Sequence, residues 1–153
     1  MITVAIPTAD LPVAPDAALA PTDFPAELGA YLDTLTIDAL YDVRAKCADR
    51  LGLAHKAALV AGVRAAVVDL AEQSELDSSQ PVDRAEFTAK SYSNGNFWVC
   101  DSVVFVHSDG VRTDTGLDEM PCHSHLTNLS DLIGAGEDDV LTVDLTTGVV
   151  THL

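Results

Sequence analysis

The densest group of reactive side chains in the sequence is Met120-Pro121-Cys122-His123-Ser124-His125. Thiolate and imidazole are good zinc ligands. In an extended segment His123 and His125 point to the same side, and His107 or Asp114 completes a ligand set. A metal held there would activate water, which defines one reading of the chain, a small metal-dependent hydrolase. The spacing argues against it. No CxxC or HExxH is present, and adjacent Cys122 and His123 are hard to use on one ion. The favoured reading of this stretch is an exposed loop without a cofactor, zinc being the metal that the residues would suit.

Other residues invite the same weighing. A turn at Asp109-Gly110 sets His107 opposite Arg112 and diagonal to Asp114, and a His–Asp pair can do acid–base work. It lacks an identified nucleophile. Asp101 interrupts an apolar run, and a buried carboxylate in such a place can be catalytic. A cross-strand ion pair with Lys90 is the more economical expectation. Cys47 and Cys100 fall on inferred core faces, so Cys122 is expected to be the accessible thiol and the one open to pairing with a histidine. Glu137-Asp138-Asp139 lacks EF-hand spacing and is expected to be a solvated turn. No GxxxxGK[ST], GxGxxG or GxSxG is present, which leaves nucleotide binding and α/β-hydrolase chemistry without support.

The elements that position these residues follow from periodicity. Residues 1–22 carry four of the seven prolines, at 7, 12, 15 and 21, and read as an extended arm. Residues 23–153 read as a single domain, helical over 23–76 and mainly β over 83–153. A first helix is expected after a cap at Thr22 or Asp23, with Pro25 in its first turn. A second runs from a Thr36 cap to Gly52, and a third from Leu53 to Glu75, with Gly62 allowing a close approach. SELDSSQPVD ends the helical region. Arg84–Tyr92 alternates with period two, and Asn94-Gly95 predicts a two-residue hairpin into Phe97–His107. The expected register pairs Ser91 with Trp98, Ala89 with Cys100, Phe87 with Ser102 and Ala85 with Val104. Further strands are expected at 111–115, 140–145 and 149–153, with a short helix near 127–133. Helices before strands predict an α+β fold, with about three helices packed on an antiparallel sheet of about five strands.

Charge bounds the partners. Eight Lys and Arg stand against 24 Asp and Glu, a net charge of −16. Such a field repels nucleic acid and anionic membranes and favours basic proteins or cations. The chain is 48% hydrophobic, with a mean hydropathy of +0.20, so its acidity does not signal disorder. Three cysteines without a framework suggest reduced thiols and a cytoplasmic setting, or a host's cytoplasm if the origin is phage or mobile-element. The N-terminus has no basic region before an apolar run, so no secretory signal is expected. The longest apolar stretch is broken by Arg64, so no membrane span is expected.

Three functions remain. The chain is first read as a small acidic non-enzymatic interaction or assembly protein, a homo-oligomer or the partner of another protein. Its supports are the arm, the absence of catalytic motifs and an outer strand face (Phe97, Val99, Asp101, Val103, Phe105, His107) too apolar to stand fully exposed. The second reading is an inhibitor that imitates nucleic acid in a basic cleft, and the third is the hydrolase.

Overall fold

The computed structural model describes residues 25–77, 79–117 and 122–153. The expected arm lies outside them, as do Thr22 and Asp23. The chain divides into two compact units, residues 1–40 and 41–153. Among the described residues eight elements follow in the order α1 (Ala26–Leu32), α2 (Ile37–Glu72), β1 (Val82–Tyr92), β2 (Gly95–His107), β3 (Arg112–Thr115), α3 (Cys122–Ile133), β4 (Val140–Asp144) and β5 (Val150–His152). This is an α+β fold with three helices and one five-stranded antiparallel sheet, ordered β3-β2-β1-β4-β5.

In the first unit Pro25 is the N-cap of α1 rather than a first-turn residue. Its carbonyl accepts from Leu28 and Gly29 N–H at 2.7 and 3.2 Å. Thr36 does cap α2, its Oγ1 accepting from Ala39 N–H at 3.3 Å.

The two helices expected on either side of Gly52 are one. An interior glycine costs only about 1 kcal/mol relative to alanine, and a long run of helix formers on each side offsets that. α2 ends where the backbone turns left-handed at Ser74, φ +61°. Ser74 N–H donates to Ala71 O at 3.1 Å and Glu75 N–H to Leu70 O at 2.9 Å, the paired bonds of a Schellman motif. Serine carries a Cβ penalty at that position that glycine does not. Ser74→Gly is therefore expected to stabilise the protein by about 0.5–1 kcal/mol in urea melts.

The β1–β2 hairpin departs from the expected register in two places. Tyr92 pairs with Gly95, so Ser93 and Asn94 form the turn and Gly95, at φ +139°, opens β2. That change keeps the inward set, with Ala89 now opposite Trp98. A wide bulge then sets Thr88 alone against residues 99–102, because the next pair is Phe87 with Val103. The shift is odd, so β2 changes face there. Val103 and Phe105 turn into the core at 0% exposure, while Ser102 and Val104 turn outward to half-burial. The expected pairs of Ala89, Phe87 and Ala85 with Cys100, Ser102 and Val104 are not formed. The same bulge removes the argument from an uncovered apolar face. Val99 and His107 are buried too, and only Asp101 of that row is fully exposed.

One face of the sheet carries Ala85, Phe87, Trp98, Val103, Phe105, Leu141 and Val143. Leu59, Val63, Ala66 and Leu70 of α2 pack on it, with Leu126 and Leu129 of α3. Arg64 ties α2 to the β4–β5 turn by donating to Leu145 O from Nε and Nη2 at 3.2 and 2.6 Å. The opposite face is polar: Glu86 accepts from Arg84 Nε at 2.9 Å and Arg112 Nη2 at 2.6 Å. Those bonds hold the Glu86 carboxyl below its ordinary range against the opposing effect of burial.

Candidate functional site

α3 begins five residues earlier than the expected helix. Cys122, Leu126, Leu129 and Ile133 share one stripe, and the first three are fully buried. Ser130 fastens this helix to β2: its hydroxyl donates to Leu126 O at 2.9 Å and accepts from Trp98 N–H at 3.0 Å. The helix thereby fixes three of the proposed ligands, and it separates them.

Cys122 turns into the core. His123 stays exposed, with Nδ1 3.7 Å from Cys100 Sγ. His125 faces α2, its Nδ1 3.1 Å from that of His55. The other two are elsewhere. His107 is buried at the end of β2, where its Nδ1 lies 3.3 Å from Gln80 O and its Nε2 3.3 Å from Thr113 Oγ1. A carbonyl only accepts, so Nδ1 carries the proton and Nε2 accepts from the hydroxyl. Asp114 is exposed on β3 and accepts from Ser102 Oγ at 2.9 Å. His107 and Asp114 therefore do not pair. The observed register sets Arg112 opposite Val106, one residue short of His107, because Gly110 at φ +86° takes an extra place in the turn. The five residues do not converge, and among the described residues no group of three or more His, Cys, Asp or Glu side chains is placed to hold a metal.

Two further expectations meet the geometry. Lys90 Nζ stands 2.6 Å from Asp101 Oδ2, so Asp101 is an ion-pair partner at the bulge, both groups being nearly half exposed and the pair worth about 0–1 kcal/mol. The accessible and buried cysteines are exchanged. Cys47 is exposed and Cys122 buried, because α2 buries no side chain before Leu59 in this unit while position 122 begins the inward stripe of α3.

Sequence reasoning missed His55, whose partner is seventy residues away. Of the two facing imidazoles one must donate and one accept. Burial, and then the charge of His55, hold His125 below its ordinary value, which is near 6.5. The unfolded chain therefore takes up the proton first, and stability falls as pH drops through that value. The melting temperature is expected to fall between about pH 7 and pH 5, with His125→Gln flattening that part of the profile. An unchanged profile in the variant would contradict the pairing.

Beside His123 lies a cavity of about 520 Å3 between β2 and α3. Tyr92, Phe97 and Trp98 supply its aromatic wall, and His123, Thr127 and Asp131 line it from one face of α3. A second groove, of about 530 Å3, lies on α2 between Val43, Cys47 and Leu51, with Lys46 and Arg50 at its edges. Tyr41, Leu51 and Leu53 are 63, 51 and 64% exposed. By length and composition alone α2 is apolar enough to cross a membrane, 28% of its most apolar window being buried.

The charges are segregated as well. Residues 43–66 hold five of the eight cations and a single acid, Asp49. Three cations and 23 acids remain for the rest of the chain. Comparison with models of protein families, with curated proteins and with solved structures gives no match.

Proposed function

We propose that the protein is a non-enzymatic assembly module that works as a homo-oligomer in a cytosol-like compartment, with residues 41–58 of α2 as the contact. The observation that carries this reading is the conjunction on α2 of exposed apolar side chains with the chain's own scarce cations. Leu51 and Leu53 are more than half exposed, and Lys46 and Arg50 line the groove that Leu51 shares with Val43 and Cys47. Covering such side chains is worth up to about 1.5–3 kcal/mol each. A second copy supplies the complement, because the sequence outside residues 43–66 is overwhelmingly acidic.

The same segregation supports a second reading, in which the acidic remainder imitates nucleic acid and occupies a basic cleft on another protein. Native mass spectrometry of the purified protein separates the two. Self-assembly gives a metal-free oligomer that dissociates as salt rises. A monomer that binds a basic protein and is displaced by DNA supports the mimic instead.

A further inference from the structure

The cavity between the β1–β2 hairpin and α3 combines aromatic rings with a carboxylate. The turn at Ser93 and Asn94 pairs Tyr92 with Gly95. Tyr92 is then diagonal to Phe97, within reach for aromatic side chains. Their rings meet edge to face, with centroids 6.1 Å apart and planes at 62°. This aromatic corner lines the cavity, and Tyr92 is 52% exposed. The Trp98 ring is buried and packs on His152 instead. On the opposite wall His123, Thr127 and Asp131 recur at every fourth position of α3, so they share a face of the helix. Asp131 is the only acid of this lining, and no Lys or Arg belongs to it. Its carboxylate is exposed and, among the described residues, has no hydrogen bond or ion pair. Lys90, opposite Phe97 on β1, is already paired with Asp101 at 2.6 Å. The net charge of −16 favours a cation further.

We propose that this cavity binds a quaternary ammonium, its charge held between the Tyr92–Phe97 corner and the Asp131 carboxylate. An ammonium that carries N–H groups is a compact, strongly hydrated charge, and in so open a groove it keeps its water. A quaternary nitrogen spreads its charge over methyl groups that hold water weakly. Those methyls pack on the aromatic rings, whose faces attract the charge, and on Val99, which is 7% exposed. The volume of about 520 Å3 exceeds what a trimethylammonium head needs. The cation therefore arrives as the end of a longer small molecule or of a protein side chain. No residue of this lining belongs to the α2 groove, so the site stands apart from self-assembly.

Choline tests this against its uncharged isostere, in which a tert-butyl group replaces the trimethylammonium. Both are titrated into the isotope-labelled full-length protein and followed by amide NMR shifts, which also show that each variant is folded. Choline is expected to shift Tyr92, Phe97, Thr127 and Asp131 together and to bind at least about tenfold more tightly than the isostere. Asp131→Asn is expected to weaken choline about fivefold and leave the isostere unchanged. Phe97→Leu keeps an apolar side chain without the ring and is expected to weaken choline about threefold. A trimethyl-lysine peptide that binds more tightly than choline assigns the cation to a partner protein, and one that binds less tightly assigns it to a free small molecule. Equal affinity for choline and the isostere, shifts confined to other parts of the chain, or no saturable shift at about 20 mM choline would overturn the site. Unchanged choline affinity in Asp131→Asn would overturn the role of the carboxylate.

Discussion

Phe105→Ala is expected to destabilise the protein by about 3–5 kcal/mol, while Val104→Ala costs under about 1.5 kcal/mol. The contrast comes entirely from the β2 bulge. Without it the alternation begun at Trp98 would carry Val104 inward and Phe105 outward. With it Phe105 is 0% exposed and Val104 half-buried. A loss of this size is a large part of the stability of an ordinary domain, which is about 5–15 kcal/mol. Urea melts of the two variants measure it. A larger loss for Val104→Ala would return β2 to uninterrupted alternation and restore the uncovered apolar face.

Leu51→Asp is expected to weaken self-association by about 100-fold or more, corresponding to about 2.7 kcal/mol. The substitution removes an apolar contact and sets a carboxylate between Lys46 and Arg50, where a second copy's acids would otherwise lie. Leu51 is half exposed and outside the core, so the monomer should remain folded. Lys46→Glu with Arg50→Glu should act in the same direction and remove the salt dependence as well. Sedimentation velocity reads both. Association unchanged by either variant would exclude α2 as the contact.

The architecture was legible because two periods dominate the sequence. Ala85, Phe87 and Ala89 announce a strand with one buried face, and Leu59, Val63, Ala66 and Leu70 announce a helix. The acidic composition did not obscure them. What was not legible depended on tertiary compensation. Gly52 looks like a helix end, but its neighbours carry the helix through it. The bulge leaves no local signature, since Val99-Cys100-Asp101-Ser102-Val103 reads as ordinary alternation. Only the demand that Val103 and Phe105 be buried reveals the change of face.

The candidate site was harder to see for the same reason. Starting α3 at Cys122 rather than Thr127 turns a supposed loop into a helix that points Cys122, His123 and His125 in different directions. The stripe Cys122, Leu126, Leu129, Ile133 was available as a signal. The contacts of His123 with Cys100 and of His125 with His55 join elements far apart in sequence, and no spacing rule encodes them.

The most direct test of assembly through α2 is the native mass of the full-length protein at about 20 µM, a concentration at which a micromolar contact is largely formed. The account predicts a metal-free oligomer at low ionic strength that yields monomers as salt is raised. A monomer at every concentration and every salt would contradict it.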